Sequence, residues 1–303
     1  MTTESATGNI YDLGYQGYDG PRLGRPVVAL GLLRHTLASA YGIGRGGRAK
    51  IAPFTLLILS LLPALLAVGI SALAGQTGQG EVLTANSPIR HETYQSLTST
   101  LIMLFCAAQA PELFGRDQRY GVLPLYFSRV LTRIDYALAR TGGLFLAVLL
   151  VSIVPQLVLT IGAVLAAPDP LTGLGNDAPD IPRYVAVSLL SSGLLAGLAA
   201  LIAAWTPRRA YATAAIIAAF IIPPIIVALL SRLAAGDAAR ALVLLSPGDV
   251  IEGLNAAIFG TIADGSPAVM AADLPDWSYV AASVVGVVAC VLLVVRRYLR
   301  VTG

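Results

Sequence analysis

The side chains best suited to electrostatic work are concentrated in residues 111–140, PELFGRDQRYGVLPLYFSRVLTRIDYALAR, where Arg116, Arg119, Arg129, Arg133 and Arg140 mix with Glu112, Asp117 and Asp135. It is the one long charged stretch between apolar runs. Within it Gly121 punctuates the chain, and Val122, Leu125, Tyr126 and Arg129 then fall at helical spacing, a short amphipathic helix presented to a partner or a membrane surface. Mixed in one charged stretch, these residue types are suited to ion-paired contacts. His91 beside Glu92 supplies half of a metal site, and the other histidine, His35, lies on the far side of the first apolar run. Intramembrane proteolysis needs a serine with a histidine partner inside the spans, or H-E-x-x-H, and both histidines are expected in membrane-flanking segments. Gly42, Gly44 and Gly47 have the spacing G-x-G-x-x-G, but no strand precedes them and the next element is apolar. With Arg45, Arg48 and Lys50 the segment reads as a basic hinge at lipid headgroups, where each basic residue contributes about 1 kcal/mol on anionic lipid. The pattern G-x-x-x-x-G-K-[ST] occurs nowhere, so the chain is expected to have no ATPase or other enzyme activity of its own. Cys106 and Cys290 lack C-x-x-C spacing and read as small packing residues.

The elements that position these groups follow from composition. Of 303 residues 56% are hydrophobic and 12% charged, with a mean hydropathy of +0.75, against about 25% charged residues in soluble domains. Six apolar runs near the length of about 20 residues that crosses a hydrocarbon core are read at 53–74, 95–111, 141–166, 183–205, 211–230 and 278–295. The fold class is therefore an all-α integral membrane protein with six transmembrane helices. Sixteen of the twenty basic residues fall on one side of this topology and eleven of the seventeen acids on the other. The basic bias predicts both termini in the cytoplasm and segment 112–140 with them. The first 24 residues lack an apolar core, so a cytoplasmic lead-in over 1–25 is expected rather than a signal peptide.

From Pro26 a helix is predicted with Val27, Leu30, Leu33, Leu37 and Tyr41 on one stripe and Arg34, His35 and Ser39 elsewhere on the wheel, lying in the interface plane. Pro63 in the first span kinks the axis and frees a carbonyl for a neighbour to satisfy. Thr98, Ser99 and Gln109 make the second span mildly polar, as glue or as a pathway lining, while Ser191, Ser192, Gly193 and Gly197 in the fourth allow close helix approach. Adjacent Pro223 and Pro224 predict a break in the fifth span. Beyond it, Ser246 or Asp249 caps an amphipathic helix carrying Val250, Ile251, Leu254, Ile258 and Phe259, too short and polar to span. No span carries a charge near its centre, which disfavours an ion-coupled carrier.

Three stretches resemble a known family. The run 111–140, with its acid, base, glycine, short apolar helix and S-R-x-x-x-R-x-D-Y, resembles the coupling loop of ATP-binding-cassette type-2 permeases, the membrane halves of exporters with the type V fold. YDGPRLGR at 18–25, followed by the basic GRGGRAKIAP, is similar to the N-terminal region of a bacterial branch of that family, and Ser246–Gly260 to the external helices between its fifth and sixth spans. A departure stands at Arg116-Asp117, where many relatives have a Glu-Arg-Glu-like run. The resemblance implies an elbow helix and hinge at 26–50 with Leu30, Leu33, Arg34 and Leu37 gripping the ATPase, and a permease domain at 51–303. It implies coupling through Glu112, Arg116, Asp117, Arg119, Tyr120, Gly121, Leu125 and Tyr126, and a pathway near Thr98, Ser99, Gln109, Pro223 and Pro224. Implied too are ATP and Mg held by two copies of a partner ATP-binding subunit, with no cofactor or metal in this chain, a second permease, contact with membrane lipid but no nucleic acid, and the bacterial plasma membrane as location. A scaffold or signalling subunit that contacts an ATPase without transporting, and a secondary transporter, are the alternatives.

Overall fold

The computed structural model describes residues 20, 23–76, 89–128, 130–167, 169–233, 240–263 and 265–300. Among them all regular structure is helical, and six helices are long and apolar enough to cross a membrane. In chain order the helices are α1 (Arg25–Ala40), α2 (Arg48–Gln76), α3 (His91–Arg119), α4 (Leu123–Phe127), α5 (Arg133–Ala166), α6 (Pro170–Asp177), α7 (Asp180–Trp205), α8 (Arg209–Leu233), α9 (Pro247–Phe259), α10 (Pro267–Ala272) and α11 (Asp276–Leu299). A 3₁₀ turn over Leu242–Leu245 precedes α9.

The six helices of that length and hydropathy are α2, α3, α5, α7, α8 and α11. Protein buries 56%, 50% and 61% of the apolar windows of α3, α5 and α7, but only 17% of those of α2 and of α8. The core is thus a bundle of α3, α5 and α7, with α11 against α7, α2 against α5 and α8 against α3. Lipid is as apolar as a leucine side chain, so close packing rather than water exclusion holds such helices together. Small residues stand where it is closest. A Cβ at Gly193 would lie 3.1 Å from Val287, one at Gly197 3.0 Å from Cys290, and one at Gly162 2.1 Å from Val68. Both cysteines are buried thiols without a disulfide.

Two spans are longer than the apolar runs suggest. Helix α3 starts at His91 and passes through Pro111 to Arg119, and α5 starts at Arg133. The charged connection expected over 112–140 shrinks to residues 120–132, and Glu112, Arg116, Asp117, Arg119 and Arg140 become helical. Hydropathy ended the spans early because it counts these side chains as solvated, whereas several pair inside the protein. The expected break at Pro223 and Pro224 is also absent: α8 continues through both, and the start of α9 packs on the second, where a Cβ on Gly248 would lie 3.3 Å from the Pro224 ring. Helix α2 runs through Pro63 as one helix; the carbonyl that the proline leaves without its N–H is that of Leu59, and the Tyr94 hydroxyl donates to the next one, Ser60.

Helix α1 leads with Pro26 in its first turn and packs along α5. Its buried face is Leu32, Thr36, Ser39 and Ala40, whereas Val27 and Leu30 stay exposed. The apolar stripe read from the sequence is thus only partly covered by protein, and the close contact is made by Thr36 in the gap that Gly143 leaves. The predicted cap of α9 is Ser246, whose hydroxyl accepts from the Asp249 N–H, while Val250, Ile251 and Leu254 are buried.

Candidate functional site

The end of the bundle that carries α4 gathers the charged residues of the 111–140 stretch into three layers. At the surface, Thr132 caps α5 reciprocally with Asp135: the Thr132 hydroxyl accepts from the Asp135 N–H at 3.2 Å and the Asp135 carboxylate from the Thr132 N–H at 2.9 Å. Arg25, first in α1, places its Nε 2.6 Å from Asp135 Oδ2 and a terminal nitrogen 3.1 Å from the Thr132 hydroxyl. The start of α1 is thereby tied to the start of α5. Bonding to Asp135 raises the pKa of Arg25 further and keeps it charged.

Deeper in, Asp117 of α3 accepts from the Arg140 guanidinium and, at 2.7 Å, from the Tyr136 hydroxyl, both on α5 one turn apart. The side chains of Asp117 and Arg140 are 12% and 5% exposed. A second Arg140 nitrogen lies 3.4 Å from the Thr36 hydroxyl of α1, while its Nε finds no acceptor. Tyr136 packs edge-on against Tyr298 of α11 at 5.0 Å and, tilted, against Tyr126 of α4 at 5.3 Å. Gln118 then donates to the Ala204 carbonyl of α7 and to Tyr298. One buried pair thus sits at the meeting point of α1, α3, α4, α5 and α11. Buried charges persist only when paired and hydrogen-bonded.

The third layer faces α2 and α8. Glu112 binds Arg45 at 2.9 Å and Arg209 at 3.5 Å, and Arg45 also donates to the Ser39 carbonyl at the end of α1. Burial lowers the Arg45 pKa, Glu112 opposes that, and the neighbouring charges of Arg116, Arg209 and Arg140 lower it again. Two arginines on one glutamate, with Arg116 close enough to act on Arg45, leave this corner positive. The glycines of the G-x-G-x-x-G spacing build the turn that brings Arg45 here. Gly42 has φ +69°, and a Cβ on it would strike the Ala49 carbonyl at 2.6 Å.

Of the residues singled out for coupling, Asp117 is buried and Glu112 half-buried, while Arg116, Arg119, Tyr120 and Leu125 are exposed. Tyr120 ends α3 with the Arg119 guanidinium over its ring, Gly121 turns the chain at φ +62°, and Tyr126 leans on Tyr136. Arg129 lies outside the described residues, as do residues 1–19, 21 and 22 of the expected lead-in. On α1, Leu30 and Arg34 are exposed and Leu33 and Leu37 half-buried. The residues expected along a pathway are not brought together. Thr98 and Ser99 donate to carbonyls of their own helix, Gln109 is buried in α3, and Pro224 meets the start of α9 at Gly248.

Sequence reading missed the polar filling of the other half of the core. His91, placed in an external loop, occupies the first turn of α3, within 2.6 Å of Gln156 and 3.3 Å of Asp177, with its ring stacked on Tyr184. Burial would raise the Asp177 pKa, but the His91 contact brings it below the ordinary value. One turn inward, Gln95 donates to Ser191 and accepts from Ser152, which also reaches Ser188. The signal was present: His91, Gln95 and Thr98 recur every three to four residues, the period of one helix face. Among the described residues no group of three His, Cys, Asp or Glu side chains could hold a metal ion. Compared with known families, the chain matches no family model, and no curated protein matches it.

Proposed function

We propose that the chain is the membrane subunit of an ATP-driven exporter of the ATP-binding-cassette type-2 kind, working with a separate ATPase in the bacterial plasma membrane. The observation that carries this reading is the fastening at the α4 end. A device that transmits an ATPase stroke needs an exposed contact joined stiffly to helices that cross the membrane. Tyr120 and Leu125 provide the exposed tip, each 69% exposed. Behind them the Asp117–Arg140–Tyr136 cluster joins the two helices flanking the 120–132 connection, and Arg25 joins α1 to the same point. A push on the tip therefore moves α1, α3 and α5 together, the rigid-body displacement by which packed helices switch between states.

On this reading α1 is the elbow helix, 120–132 is the cytoplasmic coupling loop, and α9 and α10 are the external helices. The sparse protein cover of α2 and α8 suits a second permease copy or lipid against them, since six spans form a half-transporter. ATP and Mg belong to the partner, in keeping with the missing phosphate loop.

The test is reconstitution in nanodiscs with ATP-binding subunits from the same genome, comparing wild type with Leu125→Asp and, as a control on the opposite end, Leu171→Asp. Both leucines are strongly exposed, so neither change should disturb folding. The reading requires an ATPase that co-purifies with wild type and with Leu171→Asp but is lost, or decoupled from the permease, with Leu125→Asp. If no ATPase binds, or if binding ignores Leu125, a scaffold or carrier role replaces it.

A further inference from the structure

Helix α3 leaves one stripe of its surface uncovered by protein. Leu97 and Leu104 are 53% and 38% exposed, Ala108 is half-buried, and the same face ends one and two turns later in Glu112 and Arg116. On the helical wheel this stripe runs between two sets of contacts. Tyr94 and Phe105 lie to one side, meeting Ser60 of α2 and Tyr41 after α1, and Ala107 lies to the other, its carbonyl accepting from Thr213 of α8 at 3.0 Å. The stripe is the floor of a groove walled by α2 and α8, the two apolar helices that protein covers least. With these helices in a bilayer the groove opens sideways onto hydrocarbon, so its occupant carries apolar chains.

At the α4 end the groove is headed by guanidinium groups. Glu112 holds Arg45 at 2.9 Å and Arg209 at 3.5 Å, and Arg116 stands one turn beyond Glu112 on the same face, with no ion-pair partner among the described residues. Arg45 is largely spent, since a second nitrogen donates to the Ser39 carbonyl. Arg209, whose side chain is 59% exposed, and the exposed Arg116 still have N–H donors to give. The first turn of α2 adds Arg48 and Lys50 and no acid, so the field at this corner favours anions. Its depth is marked by aromatic rings. Trp205, 60% exposed, carries the Arg297 guanidinium over its ring, and Tyr211, 61% exposed and two residues from Arg209, carries that of Arg208. Such amphipathic aromatics sit at the level of lipid headgroups. Unmatched positive charge at headgroup depth, above an apolar floor open to the side, selects one chemistry, for basic pockets between membrane helices hold acidic headgroups. We infer that the α2–α3–α8 groove binds an anionic phospholipid, its phosphate on Arg116 and Arg209 and its chains along Leu97 and Leu104. This rests only on the apolar helices crossing a bilayer and requires neither an ATPase nor movement.

Native mass spectrometry of the purified full chain, released from nanodiscs of equal parts phosphatidylglycerol and phosphatidylcholine, tests it. A phosphatidylglycerol should stay bound to the chain, at least tenfold in preference to phosphatidylcholine. A basic residue near a membrane surface contributes about 1 kcal/mol on anionic lipid, about fivefold in affinity, so Arg116→Gln and Arg209→Gln should each cut the preference about fivefold and together abolish it. Both side chains are exposed, so neither change should disturb packing. Glu112→Gln removes the competing carboxylate and should raise the preference at least twofold. Arg300→Gln, which removes an exposed base just past the end of α11, should leave it unchanged. Equal retention of the two lipids would overturn the assignment, as would a loss with Arg300→Gln as large as that with Arg209→Gln. Release of the lipid by inorganic phosphate would give the corner to a free anion instead, and a chain that leaves the nanodisc as a lipid-free dimer would give the groove to a second copy.

Discussion

Replacing Asp117 by alanine strips the acceptor from Arg140, which is 5% exposed on its side chain and already has one nitrogen without a partner. The guanidinium cannot shed its proton, and from inside the packed cluster it cannot reach water without breaking the Tyr136 contacts. Removing one member of a buried pair costs about 3–5 kcal/mol, or roughly two to four decades in the folded population. Tyr136→Phe removes only one hydrogen bond to a charged acceptor and should cost about 1.5–3 kcal/mol. Replacing the pair by apolar residues of similar size, Asp117→Leu with Arg140→Met, removes the stranded charge and should recover most of the loss. Equilibrium unfolding in mixed micelles across the four corners of this cycle measures the coupling, expected at about 2 kcal/mol or more. A cost below about 1 kcal/mol for Asp117→Ala, or simple additivity of Asp117→Ala and Arg140→Ala, would refute the argument that this pair joins α3 to α5.

Four smaller effects follow from the same structure. Gln95→Leu breaks the bonds to Ser191 and Ser152, yet side-chain bonds between spanning helices average about 0.6 kcal/mol, so it should destabilise far less than Asp117→Ala in the same assay. Gly143→Ala drives a Cβ to 2.6 Å from Thr36 Cβ and 3.0 Å from the Leu33 carbonyl. An overpacking loss of about 1–3 kcal/mol should appear together with faster proteolysis of α1. Gly121→Ala meets no neighbour, so only the left-handed backbone is charged against it, about 1–2 kcal/mol, and Gly121→Asn should cost less. Asp177 has a folded-state pKa below its ordinary 3.8, so its contribution is full above that value and fades as pH falls through the lower folded one. The stability gap between wild type and Asp177→Asn should therefore shrink as pH falls below about 4.

The spans were legible because twenty apolar residues in a row have few other uses, and α9 was legible because Ser246 announces a helix start. The interior of the site was not. Asp117 and Arg140 are 23 residues apart, and each alone reads as a solvated charge at the end of an apolar run. Only the register between α3 and α5 reveals that they neutralise each other, and that register is fixed by packing around residues such as Gly143. Pro111, Pro223 and Pro224 misled in the same way. The cost of a proline in a helix depends on what else satisfies the freed carbonyl, and a single sequence does not display its neighbours. For His91 the position in a polar stretch outweighed the period it shares with Gln95 and Thr98.

The Asp117–Arg140 pair also constrains how the protein is made. Arg140 lies seven residues into α5, roughly 10 Å along the axis at about 1.5 Å per residue, at the edge of the apolar run 141–166, where an unpaired arginine opposes insertion by less than the about 2.5–3.5 kcal/mol it costs at a helix centre. During synthesis α3 emerges first, carrying an acid that has no counterion until the following helix arrives. The two helices are separated by only the 120–132 connection, so insertion as a paired hairpin is expected to be easier than insertion one at a time. Lengthening that connection with a flexible insert should delay the membrane integration of α3 on the ribosome, even where the finished protein tolerates the insert.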